Sequence, residues 1–189
     1  MSDGSFGFEC GLIIGRFQTF HLGHEHIVRC GLKVRRRVII YIGSAQESGT
    51  EKNPFGYDLR RDIIASVFPG EVECGRLIIA PLVDAGLGNN SKWGKYVLDC
   101  FARDFGGLPD MFISGREGVR LDWFDGLDGL CELYVSKILD LSATRMRRAL
   151  LDGDEEFFRE NVNPALWGKY PLLRQCVLDS AGNGFTESI

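Results

Sequence analysis

Histidine is scarce in this chain of 189 residues: there are three, and all lie between positions 21 and 26. The six cysteines, at 10, 30, 74, 100, 131 and 176, are never closer than 20 residues. That spacing excludes CxxC-type zinc and redox motifs. Basic side chains are not in excess: 22 Lys and Arg stand against 26 Asp and Glu, a formal charge of −4. A broadly basic nucleic-acid footprint is therefore excluded. Apolar runs stop at four to six residues, too short to span a bilayer. The first ten residues, MSDGSFGFEC, carry no basic region and no long apolar stretch, so no secretory leader is expected. Scattered cysteines without a leader predict reduced, mostly buried thiols in a cytoplasmic protein that binds neither nucleic acid nor membrane.

Several nucleotide-binding devices are also missing. The stretch around Gly94-Lys95 lacks the Gly and Ser/Thr of a P-loop. GRFQTF after the first apolar run offers one glycine where a dinucleotide fingerprint has three. His24-Glu25 begins like a zincin helix, but Val28 occupies the second ligand position. No GxSxG elbow occurs.

What is present is an alternation of short continuous apolar runs with helical patterns. Strands are predicted at about 8–15, 38–43, 77–82, 111–115 and 132–139, and helices at about 23–35, 57–68 and 91–105. Continuous runs predict strands buried on both faces. The expected fold is thus α/β: a Rossmann-like parallel sheet of about five strands flanked by helices, with C-terminal helices. One domain is expected, with a core over about 8–151, a helical part over about 152–179 and a frayed tail over 180–189. In such sheets ligands bind beyond the carboxyl ends of the strands. Gly15, Gly43 and Gly115 end three of the five runs, where backbone can approach a ligand closely.

Gly15-Arg16-Phe17-Gln18-Thr19-Phe20-His21-Leu22-Gly23-His24 links the first strand to the first helix. His21 and His24, three apart at a helix start, share a face. Two imidazoles at the positive end of a helix suit a phosphate and can donate to charge that develops during its transfer. His26 falls on another face and reads as structural or solvated. The second loop, Gly43 to Phe55, is polar and rich in small residues, and Lys52 in it can reach a phosphate. In LSATRMRR, residues 141–148, Ser142 can cap a helix. Met146, Ala149 and Leu150 mark its buried side. Arg145, Arg147 and Arg148 then cannot all face one site.

GRFQTFHLGH resembles the HxGH signature of the nucleotidylyltransferase superfamily. GRFQ ahead of it resembles the archaeal-type nicotinamide-mononucleotide adenylyltransferases. GSAQESGTEKNPF resembles that family's second-strand loop, and LSATRMRR resembles the superfamily's second signature, with Arg147 at the signature arginine. Thr19 departs from the pattern, which usually has Pro there. The resemblance implies transfer of the adenylyl group of ATP to nicotinamide mononucleotide, giving NAD and pyrophosphate. It implies catalytic roles for His21, His24, Arg16, Lys52 and Arg147. ATP contacts are implied at Gly15, Phe17, Gly23, Gly115, Ser142 and Thr144, with Arg116 beside them. Acceptor contacts are implied at Asp84, Asn90 and Trp93, where Trp93 stacks on the nicotinamide ring. Asp122-Trp123-Phe124 is weakly similar to an aromatic patch near the acceptor base. Mg2+ is expected to ride on ATP, with no dedicated protein site, and a homo-oligomer is expected. The alternatives are an adenylyl- or cytidylyltransferase for another acceptor (phosphopantetheine, a sugar or glycerol phosphate), or a non-catalytic nucleotide-binding regulator.

Overall fold

A computed structural model describes residues 9–88, 90–115, 122–126 and 128–183. Five parallel strands, β1 Cys10–Gly15, β2 Arg37–Ile42, β3 Leu77–Pro81, β4 Met111–Ser114 and β5 Cys131–Tyr134, form one sheet in the order β3-β2-β1-β4-β5. The intervening helices are α1 Leu22–Val34, α2 Tyr57–Val67, α3 Pro69–Glu73 and α4 Ser91–Phe105. The chain winds outward through β1, β2 and β3, then returns to the other side of β1 for β4. That reversal opens a crevice at the carboxyl ends of β1 and β4.

Alternate residues of each strand point to opposite faces, and both faces are covered. Ile13, Val38, Ile40 and Ile42 pack with Val28, Ile63 and Ile64 of α1 and α2. Leu12, Ile39, Tyr41 and Phe112 pack with Val97 and Phe101 of α4. This explains why β2 reads RVIIYI with five consecutive buried residues.

The region expected to be helical after 142 is three helices and a turn: α5 Ala143–Asp152, α6 Glu155–Asn161, a 3-10 turn Pro164–Lys169 and α7 Tyr170–Asn183. Gly153, at φ 81°, ends α5 in the left-handed conformation that glycine adopts without cost. Asp154 then caps α6. Met146, Leu150, Phe158, Leu166, Leu173 and Val177 place all of these on the α1/α2 face. Residues 180–183, expected in the tail, complete α7. The fifth strand is shorter than expected. Its neighbour β4 ends at Ser114, so the ladder stops once Val135 N–H has donated to the Ser114 carbonyl. Residues 135–139 leave the sheet and line the crevice instead.

All six cysteines are free, but only Cys100 is buried, while Cys74 and Cys131 are exposed. The expectation of mostly buried thiols is corrected: Cys131 lies on edge strand β5, where one flank of the sheet is open. Among the described residues, no helix is long and apolar enough to cross a membrane.

Candidate active site

β1 ends at Gly15, and the turn that follows folds back on itself. Phe17 has φ 51°, in the region that favours glycine. Its ring returns beneath Gly15, where an added Cβ would lie 2.9 Å from the ring. Gly15 is therefore required by close packing.

His21 is the N-cap of α1. Its Nδ1 accepts the Gly23 N–H at 3.1 Å. The neutral ring consequently carries its proton on Nε2 and presents a donor. The His24 ring stacks on it with centroids 3.9 Å apart and planes at 24°. Phe17 meets His24 edge-on at 5.0 Å, and Phe20 stacks on it at 5.7 Å. Burial, helped by the charge of Lys137, lowers the His21 pKa to about 4. Burial and the neighbouring His21 hold His24 well below the ordinary value, against an opposing pull from the Thr19 backbone. At neutral pH the pair is uncharged, and His21 presents its Nε2–H at a helix N-terminus.

The two loops above β1 and β2 are tied together by residues that carried no assignment from sequence. Gln18, buried, donates to the Phe55 carbonyl at 3.0 Å and accepts the Phe55 N–H at 2.9 Å. Arg60 of α2 has no exposed surface and bonds four backbone carbonyls. A signal for Arg60 was present: with Ile63, Ile64 and Val67 it occupies the buried stripe of α2, an odd place for a cation. Asn53, also buried, has its Oδ1 3.5 Å from Arg16 Nη1 and donates to Glu47. Lys52, by contrast, is exposed.

Ser142 caps α5 by accepting the Arg145 N–H at 3.2 Å. Of the three arginines only Arg147 turns inward. Its Nη1 donates to the Gln18 carbonyl at 2.8 Å, and Nη2 lies 3.4 Å from Thr144 Oγ1. Burial and the charge of Arg16 lower its pKa, and Glu51 opposes them. Arg145 turns to Asp140 and the Phe157 ring, and Arg148 to Asp152.

These elements enclose two cavities. The first, about 310 Å³, holds His21, His24, Gly23 and Phe17, together with Gly115 and Ser142. Its outer wall, Val135 to Leu139, was expected to be strand; Lys137 on it reaches the site and had not been singled out. His26 lines this cavity too, and its Nε2 lies 3.8 Å from Cys30 Sγ on the same helix. Arg116 lies outside the described residues. The second cavity, about 620 Å³, is lined by Arg16, Gly43, Ser44, Asp84 and Trp93 among others. Gly15, Ile14 and Trp123 belong to both.

Trp123 was visible in sequence only as part of a weak aromatic patch. A 3-10 turn, Asp122–Phe124, seats it 4.3 Å from the Trp93 ring. Asp84 is held by a reciprocal pair with Gln46, at 3.0 and 3.2 Å. Asn90 lines neither cavity. Its Oδ1 caps α4 by accepting the Lys92 N–H, and its Nδ2 donates to Leu87. Its amide oxygen is thus engaged in the cap and its amide nitrogen in the loop before α4. Lys52 and Thr144 also stand outside both linings.

No protein-family model matches the sequence. Over 146 residues the chain is 35% identical to the nicotinamide-nucleotide adenylyltransferase of Aeropyrum pernix, covering 76% of this chain and 80% of that one. It is 33% identical, over 146 residues, to the enzyme of the same name from Thermococcus kodakarensis, covering 76% and 73%. Among solved structures it superposes on a bifunctional NMN adenylyltransferase/ADP ribose pyrophosphatase from Francisella tularensis. The TM-score is 0.75 at 22% identity, over 94% of this chain and 54% of that one. The chain thus spans about half the length of that bifunctional protein, and the likeness carries the fold. Taken with the crevice and its histidine pair, the two curated relatives show that the chain belongs to the nicotinamide-nucleotide adenylyltransferase family.

Proposed function

We propose that the chain joins ATP and nicotinamide mononucleotide into NAD, releasing pyrophosphate, with ATP in the first cavity and the mononucleotide in the second. The observation that carries this reading is the junction: two cavities meet at Gly15, beside a pair of neutral imidazoles at a helix N-terminus. A reaction that joins two nucleotides through their phosphates needs its reacting atoms at such a meeting point.

A phosphate oxygen of the acceptor attacks the α-phosphorus of ATP. The new O–P bond forms as the bond to the β-phosphate oxygen breaks, and pyrophosphate leaves with that electron pair. No covalent enzyme intermediate is needed, since positioning and charge stabilisation dominate such transfers. His21 and His24 donate N–H groups to oxygens of the α- and β-phosphates. Arg16 holds the acceptor phosphate. Arg147, braced by Thr144, holds the leaving pyrophosphate with the N-terminus of α5, and Lys52 joins it from the second loop. Magnesium enters as part of the MgATP substrate. Trp93, flanked by Trp123, offers a flat ring to the cationic nicotinamide. The assignment also includes self-association, checked by light scattering against the monomer mass of 21.1 kDa.

A panel of acceptors with MgATP tests the reading. Nicotinamide mononucleotide should be turned over, while phosphopantetheine and glycerol phosphate should not. Turnover of either of those, without NAD formation, would overturn the acceptor assignment.

A further inference from the structure

Arg60 is a guanidinium with no solvent exposure, and among the described residues its hydrogen bonds go to backbone carbonyls. Its Nε donates to the Gly56 carbonyl at 3.3 Å. Nη1 donates to the carbonyls of Arg16 and Gly43, both at 2.9 Å, and Nη2 to that of Ser44 at 3.1 Å. Three of these four acceptors, Arg16, Gly43 and Ser44, line the second cavity. The β1–β2 ladder reaches this level in the bond from Gly43 N–H to the Gly15 carbonyl, at 2.9 Å. The strands then part, leaving carbonyls without ladder partners, and the planar fork of Arg60 spans the gap.

We propose that Arg60 is a positioning residue for the acceptor site: it fixes the separation of the β1 and β2 exits and so places Arg16 and the Gly43–Ser44 backbone against the phosphate and ribose of the incoming mononucleotide. It touches no substrate and acts through the three carbonyls. The proposal rests on the reaction assigned above. Much of the donor cavity is built from other elements, α1, β4, residues 135–141 and the start of α5, so Arg60 should govern one substrate far more than the other. A lysine would keep the charge but not the fork, since one ammonium cannot reach carbonyls spread over two loops.

The test is Arg60→Lys and Arg60→Gln, with KM measured for each substrate and ATP binding measured by calorimetry. Folding is checked by thermal melting. Both variants should raise KM for nicotinamide mononucleotide by about tenfold, the size expected when buried carbonyls lose a charged donor. KM and Kd for ATP should stay within about threefold of wild type, no more than the net worth of one ordinary hydrogen bond. A folded variant that shifts both substrates equally, or neither, overturns the proposal. So does failure of both variants to fold, which would make Arg60 a determinant of the fold alone. A wild-type chain that forms no NAD would overturn the underlying reaction, and the proposal with it.

Discussion

At the residue scale, two histidines that stay neutral sit at the centre of the site. Burial favours the uncharged imidazole, and the His21 cap onto Gly23 then leaves Nε2–H as the outward donor. His24→Ala should lower kcat by roughly 100-fold, the usual worth of one transition-state donor. Steady-state turnover measures this, and near-normal turnover would remove His24 from the chemistry. The depressed pKa values also set a pH dependence. An unfolded His21 titrates near the ordinary 6.5 and the folded one near 4. Between those values the unfolded chain binds more protons, so the stability contributed by His21 is complete above pH 6.5 and is lost as pH falls toward 4. Urea melts at pH 7.5 and 4.5 should show this loss, and His21→Asn should reduce it. The two imidazoles should contribute no limb near pH 6.5, because neither titrates there in the folded chain; a limb near pH 6 belongs to the substrate phosphates, whose second pKa is about 6.

Helix geometry left three arginines open, and Arg147 was singled out by its place in the resembling signature; in the structure it is the one that turns inward, to the Gln18 carbonyl. Lys52 and Asn90 were harder to place. A loop lysine has no periodicity that states its direction. An Asn before a helix is as apt for capping as for binding, and here it caps.

At the element scale, α4 and the 3-10 turn Asp122–Phe124 meet without a gap. A Cβ on Gly94 would lie 1.7 Å from the Trp123 carbonyl oxygen. That contact needs backbone to move. Gly94→Ala should destabilise the fold by about 1–3 kcal/mol, as overpacking does, and should raise KM for the acceptor by displacing Trp123 from Trp93. A thermal melt and a KM series check both effects, and an unchanged melt would contradict the packing. The sequence shows α4 well, through Trp93, Val97, Leu98 and Phe101 at helical spacing. It shows the turn poorly, because three residues carry no period. The end of β5 was hidden for a related reason: it depends on where β4 stops, a partner 20 residues away in sequence.

At the scale of the whole molecule, the alternation of apolar runs and helices was enough to read a parallel sheet, because strands buried on both faces leave a continuous signature. Strand order was not readable that way. Yet the order determines the site, since the reversal at β1 and β4 brings GRFQTFHLGH, the Gly43–Phe55 loop and LSATRMRR to one crevice. The GRFQ and HxGH residues announced the chemistry. Gln18 lies within GRFQ and Arg60 within the buried stripe of α2, yet what they hold was not legible, because their partners are backbone carbonyls and N–H groups that no side-chain pattern records.

The central claim is that an adenylyl group passes from ATP to the mononucleotide across that crevice. ATP labelled at the α-phosphorus, incubated with Mg2+, nicotinamide mononucleotide and the purified chain, tests it most directly. The label should appear in NAD, with one unlabelled pyrophosphate released for each NAD formed. Label recovered as ADP, or as AMP on another acceptor, with no NAD, would contradict it.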